Sequence, residues 1–292
     1  MKENKLQKIS VGIPTFNSSI YLEECLRSLI KQKTIDEILI SDDCSKDIEL
    51  FKIEEIVGKY NKKLPITIYK NPKNQGAFVN KLNLIHASKN KYIYILDSDN
   101  IAGRNLDKIV KKYIFTESSN NILFQPNTMF QFWDYPKLSK LLSFFKKSYI
   151  VNFFDNDTLL NIDTVKNHLF LNSGEYDLSE LKPGIKVPKK IIFNEDILKD
   201  KWIFWVLNCG NFIVNKNAMI KIAEQGLKFE RSLRSIDAVV FSYLWLINGN
   251  IIKIPKKFYH HHRKRENSVS YIEKNDSEMA LKFFIKKVLD YK

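Results

Sequence analysis

Between residues 8 and 100 short apolar runs alternate with stretches of helical periodicity, and this alternation narrows the folds open to the chain. The runs are Lys8-Ile-Ser-Val-Gly-Ile-Pro14, Glu37-Ile-Leu-Ile-Ser41, Ile66-Thr-Ile-Tyr69 and Tyr92-Ile-Tyr-Ile-Leu96. They are too short for stable helices and rich in β-branched residues, so they are expected as strands buried on both faces. Between them, Leu22, Cys25, Leu26, Leu29 and Ile30 recur at helical spacing, as do Leu50, Ile53, Ile56 and Val57, then Phe78, Leu82 and Ile85. Strands and helices joined by short loops predict right-handed crossovers and a mostly parallel, Rossmann-like α/β sheet flanked by helices.

The strands deliver acids to their exits. The fourth runs into Asp97-Ser98-Asp99 and the second into Asp42 and Asp43. In an open α/β sheet ligands bind at the carboxyl ends of the strands, so acids emerging there are placed for chemistry. Two carboxylates as close as Asp97 and Asp99 repel unless a cation lies between them, which points to a divalent metal. The first helix is expected to hold Glu23 and Glu24 in its first turn, the second to span about 46–59, and the third to run from the loop Asn71–Gly76 to about His86.

Beyond a fourth helix (Leu106 to Phe115) and a strand near Asn121–Gln125, regular patterning stops for about 75 residues. This segment holds a basic amphipathic stretch at 137–147, a loop-like stretch at 172–200, and Trp133, Tyr135, Trp202 and Trp205 as candidates for stacking on a sugar. Patterning returns with a strand at Phe212–Val214 and a helix to Glu224 with Gly226 just past its end. A helix Asp237–Ile247 follows, with Ser235 as its N-cap and Asn248-Gly249 as its terminator. Next come a strand Ile251–Ile254 and the run His260-His-His-Arg263. In extended chain His260 and His262 share one face. Residues 277–292 form a last Lys/Phe/Leu/Ile amphipathic segment.

Charge bears on partners. The net charge of +14 favours anionic ones: nucleotide phosphates, nucleic acid or an anionic membrane face. Lysine and arginine are spread along many elements without interleaved stacking aromatics, so nucleic acid is not an expected partner. Three cysteines without paired spacing suggest neither a disulfide framework nor a zinc site, and fit a reducing cytoplasm. Neither a signal peptide nor a membrane-spanning run is visible, so any membrane association is peripheral, at the inner face of the cytoplasmic membrane.

Five stretches, in this order, resemble the motifs of GT-A-fold family 2 glycosyltransferases: Val11-Gly-Ile-Pro-Thr-Phe-Asn17, Ile40-Ser-Asp-Asp-Cys-Ser-Lys-Asp47, Asn74-Gln-Gly76, Leu96-Asp-Ser-Asp-Asn100 and Asn208-Cys-Gly-Asn211. The resemblance implies a nucleotide-sugar half (1–115), a variable acceptor-side helical insertion (116–207), a segment completing the GT-A domain with the catalytic base (208–270), and a C-terminal amphipathic helix (271–292). It implies an inverting, metal-dependent hexosyl- or related transferase acting on a surface glycan or a lipid-linked acceptor. The alternative is a basic protein that binds polyanions or a membrane surface and reuses the fold without catalysis. A nucleotidyltransferase is less apt, because Thr15–Ser19 is not a glycine-rich phosphate loop.

By the same resemblance, Pro14, Thr15 and Asn17 would line the base and ribose pocket of a UDP-sugar, and Asp42 or Asp43 would bond the base. Asn74, Gly76, Lys81 and Ser98 would line the donor site, with Lys81 facing a phosphate. Asp97 would serve ribose and metal, and Asp99 would ligate Mn²⁺ or Mg²⁺. His262, or His260 as the same-face alternative, would be a third ligand. Arg263, Arg265 and Ser268 would contact the diphosphate, Asp237 would be the general base, and Trp205, Asn208, Gly210 and Asn211 would meet the acceptor. Where the family has an acidic pair, this chain has Ser235-Ile-Asp237, so the first acid is missing.

Overall fold

A computed structural model describes residues 7–116, 120–133, 149–165, 207, 209–228 and 237–264. The first half follows the alternation: β1 (Ile9–Thr15), α1 (Ser19–Leu29), β2 (Ile35–Asp42), α2 (Asp47–Tyr60), β3 (Ile66–Lys70), α3 (Ala77–Ala87) and β4 (Tyr92–Ile95). β3, β2, β1 and β4 are neighbours in that order and all parallel. β1 therefore lies inside the sheet, and Ile9, Val11 and Ile13 are fully buried.

The second half widens this sheet with strands of mixed direction. After β5 (Ile101–Ala102) and α4 (Leu106–Ile109), which continues as a π-helical turn to Ile114, come β6 (Ile122–Phe124), β7 (Thr128–Trp133), β8 (Tyr149–Asn152) and β9 (Thr158–Leu160). Then follow β10 (Phe212–Asn215), α5 (Lys216–Ala223) with a 3-10 turn Glu224–Lys228, α6 (Asp237–Ile247), β11 (Ile251–Ile254) and β12 (Tyr259–Lys264). The main sheet has the order β3-β2-β1-β4-β10-β6-β11-β9, with β10 antiparallel to both neighbours. A second sheet, β5-β12-β7-β8, lies across the site end of the molecule.

Several expectations change. β7, β8 and β9 lie where no regular pattern is expected: β7 and β9 pair with β12 and β11, far along the chain, and β8 joins the sheet only through β7. The described part of 116–207 supplies strands and a helical turn at 162–165; the segments 137–147, 172–200 and 277–292 and the cap Ser235 lie outside the described residues. α1 starts at Ser19, so Glu23 and Glu24 fall in its second turn. Gly226 does not end a helix; it lies within the 3-10 turn. Cys25, Cys44 and Cys209 are free thiols. Among the described residues no helix is long and apolar enough to cross a membrane.

Two apolar layers sandwich the sheet, one with α3, α5 and α6, the other with α1, α2 and α4. α6 is apolar all round and buried from Ala238 to Leu246, as a helix enclosed by other elements must be. Each large side chain it buries contributes about 1.5–3 kcal/mol. Trp245 donates Nε1–H to the Ile251 carbonyl at 2.9 Å, which joins α6 to β11.

Gly226 packs against Phe78 of α3 and Leu244 of α6. A Cβ there would lie 2.5 Å from Phe78 Cζ and 2.8 Å from Leu244 Cδ1. Gly226→Ala is expected to lower stability by about 1–3 kcal/mol through overpacking, measured by urea denaturation; an unchanged midpoint would refute this packing role.

Candidate active site

The site is built at the exit of β4. Leu96 N–H bonds the Gly12 carbonyl at 3.0 Å, the last rung of the strand, and Asn100 N–H closes a tight turn on the Asp97 carbonyl at 2.9 Å. Two polar ties fix this turn. Asp97 N–H donates to Asn211 Oδ1 at 2.9 Å, and Ser98 Oγ lies 2.8 Å from Ser18 Oγ, itself 2.8 Å from Thr15 Oγ1. Ser98 and Asn100 point inward and are buried, which leaves the alternate residues Asp97 and Asp99 half-exposed at the sheet edge.

Lys81 enters from α3 as a buried cation. It shares the inward face of that helix with Phe78, Leu82 and Ile85. Its ammonium lies 2.9 Å from Asp97 Oδ1, 2.7 Å from Asp237 Oδ2 and 3.4 Å from the Gly210 carbonyl, which gives all three of its protons acceptors. Burial opposes the charged ammonium, but Asp237 and Asp97 outweigh it and hold the Lys81 pKa above the ordinary lysine value. Burial raises the Asp97 carboxyl, Lys81 pulls it back, and the charges of Asp99 and Asp237 push it up again, leaving it at about 6. Gly210 permits this arrangement: a Cβ there would come within 2.6 Å of Asp97 Oδ2 and 3.0 Å of Lys81 Nζ.

The residues expected around the nucleotide lie on the adjoining strand exits. Asp42 accepts from the N–H and hydroxyl of Ser45 at 2.9 and 2.5 Å. Asp43 accepts from the N–H groups of Gln75 and Gly76 at 2.8 and 2.9 Å and from the Asn71 amide at 3.0 Å, so it holds the loop before α3. Gly76 takes φ +88, a conformation that favours glycine. Asn17 receives the Lys46 N–H on its side-chain oxygen and gives its own N–H to Ser45 Oγ. Asn74 is exposed and Pro14 half-buried at the same edge. Both Asp42 and Asp43 thus already have protein donors.

β12 passes behind the Asp97–Asp99 turn. The rings of His260 and His262 lie 6.0 Å apart, while His261 stacks on Phe130 at 5.1 Å, as alternation along a strand requires. His260 is fully buried with Nε2 at 3.3 Å from Asn211 Nδ2, and burial pushes its pKa well below the usual imidazole value. Arg263 is engaged within the protein. Its guanidinium pairs with Glu24, lies 4.8 Å over the Tyr21 ring and donates Nε–H to the Asp99 carbonyl at 3.3 Å, while its N–H meets Asn100 Oδ1 at 3.2 Å. In this arrangement Arg263 positions the turn, and Lys81 faces carboxylates, where the resemblance implied phosphate for both.

Among the described residues, no three His, Cys, Asp or Glu side chains converge as a complete metal cage. Two hard carboxylates at a half-exposed edge still fit a cation such as Mg²⁺ that takes its other oxygens from phosphate and water. Trp205, Asn208, Arg265, Ser268, Tyr135, Trp202 and the side chain of Trp133 lie outside the described residues. Two features escaped the reading of the sequence: the Glu24–Arg263 pair and the bridging role of Lys81. The second left a signal, a lysine inside the apolar stripe Phe78, Leu82, Ile85.

Comparison with known proteins bears on the fold and the family. Residues 10–171 match the sequence profile of the family described as glycosyl transferase family 2. The poly(ribitol-phosphate) beta-N-acetylglucosaminyltransferase TarS of Staphylococcus aureus is 32% identical over 122 residues, 40% of this chain and 21% of that protein, so the match spans about a fifth of that relative. The structure of S. aureus TarS residues 1–349 with UDP-GlcNAc superposes with a TM-score of 0.60 at 19% identity, over 98% of this chain and 68% of that one. GalNAc-T7 bound to UDP, GalNAc and Mn²⁺ gives 0.55 at 15% identity, over 90% and 44%. The fold is GT-A.

The raised Asp97 pKa has a stability consequence with a definite sign. The folded carboxyl binds its proton near pH 6 and the unfolded one near 3.8, so between these values the native state holds more protons and this group's contribution falls as pH rises. With 32% of the side chain exposed, solvent screening reduces the effect to about 1 kcal/mol. Urea denaturation from pH 4 to 7 is expected to show Asp97→Asn gaining on the parent protein across that window; parallel curves would refute it.

Proposed function

Since the chain belongs to glycosyl transferase family 2, we propose that it transfers a sugar from a nucleoside diphosphate donor, UDP favoured, to a hydroxyl of a surface glycan or glycolipid, with inversion at the anomeric carbon. The observation that carries this reading is the meeting of Asp97 and Asp99 at the exit of β4 with Asp237 at the start of α6, joined through Lys81. One pair of acids suits the donor and the third suits the acceptor. The UDP-GlcNAc held by TarS supports the donor class.

In this reading Asp237 takes the proton of the acceptor hydroxyl as that oxygen bonds to the anomeric carbon. The bond from the same carbon to the β-phosphate oxygen breaks, and the nucleoside diphosphate leaves with the electron pair. Lys81 occupies Oδ2 of Asp237, so Oδ1 is the oxygen that meets the hydroxyl. Asp237 opens α6, where the helix dipole favours a carboxylate. Asp99 and Asp97 would hold Mn²⁺ or Mg²⁺, which neutralises charge developing on the diphosphate. Pro14, Asn17 and Asn74, the accessible residues of the edge that Asp42 and Asp43 hold in shape, would receive the nucleoside, and Gly210 would border the acceptor side. The setting is the cytoplasm or the inner face of the membrane.

Asp237→Asn is expected to lower the rate of UDP release from UDP-GlcNAc by about 10²–10⁴-fold while UDP binding stays within a few-fold of the parent. Asp99→Asn is expected to remove the extra rise in melting temperature that Mn²⁺ gives to UDP. Undiminished turnover in the first variant and an unchanged Mn²⁺ response in the second would overturn the assigned roles.

A further inference from the structure

One side chain joins two halves of the site that the proposed reaction uses at different moments. Lys81 lies deep in α3, is 3% exposed, and has no surface role. Its ammonium touches Asp97 at 2.9 Å on the donor side and Asp237 at 2.7 Å on the acceptor side. Those acids stand far apart in sequence and on different elements, β4's exit and the start of α6. The third proton reaches the carbonyl of Gly210, whose missing side chain leaves room for Asp97 Oδ2 beside it. A phosphate contact would require the ammonium to be turned outward, yet its three protons already face three acceptors on the protein.

We infer that Lys81 is a positioning residue for the transfer step, which acts through Asp237: by gripping Asp97 and Asp237 together it fixes the base at a set distance from the donor carboxylates. This rests on the transferase reading above. Without the ammonium, Asp97 keeps its place through its own N–H on Asn211, while Asp237 would be pushed away by the uncompensated carboxylate opposite, and the base would leave the line of attack. Displacements of this kind slow the chemical step without weakening the bound nucleotide. Lys81 thus differs in kind from a donor-binding residue, whose loss would appear first in affinity.

The full chain, Lys81→Met, Lys81→Arg, Asp237→Asn and the double variant Lys81→Met with Asp237→Asn separate these roles. UDP binding in the presence of Mn²⁺ is followed by calorimetry, and UDP release from UDP-GlcNAc, with water as acceptor, in the same samples. Lys81→Met is expected to slow release by about 10²-fold with UDP affinity kept within about threefold, and Lys81→Arg to recover part of the rate. In the Asp237→Asn background, removing Lys81 is expected to cost nothing more, because the residue works through that base. Losses that multiply, or UDP affinity falling in step with the rate, would overturn the inference.

A slow Asp237→Asn beside a Lys81→Met at parental rate overturns the positioning role alone, whereas an undiminished Asp237→Asn overturns the base assignment itself. A readout that needs no turnover is the ¹⁵N resonance of the Lys81 ammonium, expected as a slowly exchanging signal that shifts in both Asp97→Asn and Asp237→Asn. A signal that answers to only one of the two acids sinks the bridge. This measurement uses the parent lysine, so it stands even where Lys81→Met does not fold.

Discussion

A cation held away from water needs anions beside it, and the contact of Lys81 with Asp97 and Asp237 is the constraint around which the rest of this site is arranged. Taking three charges out of solvent is expensive, and attraction between them repays that cost only when geometry is good and the remaining protons have acceptors. Each part of the arrangement is supplied by a different element. α3 presents the lysine from its apolar face, β4 ends at the first acid, α6 begins at the second, and the chain between 209 and 211 passes close because position 210 lacks a side chain. A defect in any of these would leave a buried charge without its partner.

Asn211 performs the corresponding task for neutral groups. Its side-chain oxygen receives the Asp97 N–H and the Asn100 amide, and its own amide lies against His260. One side chain therefore ties the acidic turn to β12, and Arg263 ties it a second time through Asn100 and the Asp99 carbonyl. The turn is held from behind by groups that hydrogen-bond its backbone and Asn100, so Asp99 stays half-exposed at the sheet edge while the Asp97 carboxylate reaches Lys81.

How much of this was legible in the sequence depends on the range of the interactions. β1 to β4 and their helices could be read because apolar spacing within a dozen residues decides them. The acids could be read because they stand at strand exits. β7 and β8 could not: Thr128–Trp133 carries β-favouring residues, but its place in the sheet is decided by pairing with Tyr259–Lys264, far along the chain, and β8 follows from β7. Likewise Arg263 reads as a cation for a phosphate until Glu24 is seen to stand beside it. Lys81 is intermediate: its place in an apolar stripe marks it as buried, but only the fold says that two acids wait there.

The place of β10 bears on how the protein is made. The fully buried β4 has β1 on one side, and among the described residues its other edge is paired by Phe212–Asn215. A nascent chain that has reached residue 95 has therefore the whole pattern for its first four strands and yet an open, buried-type edge, which stays open until residue 212 has left the ribosome. Such an edge is a template for strand addition by another chain. Contacts of this sequence separation also carry a large loop-closure cost, so the centre of the sheet, and the acids at its tip, are expected among the last parts to be secured during folding.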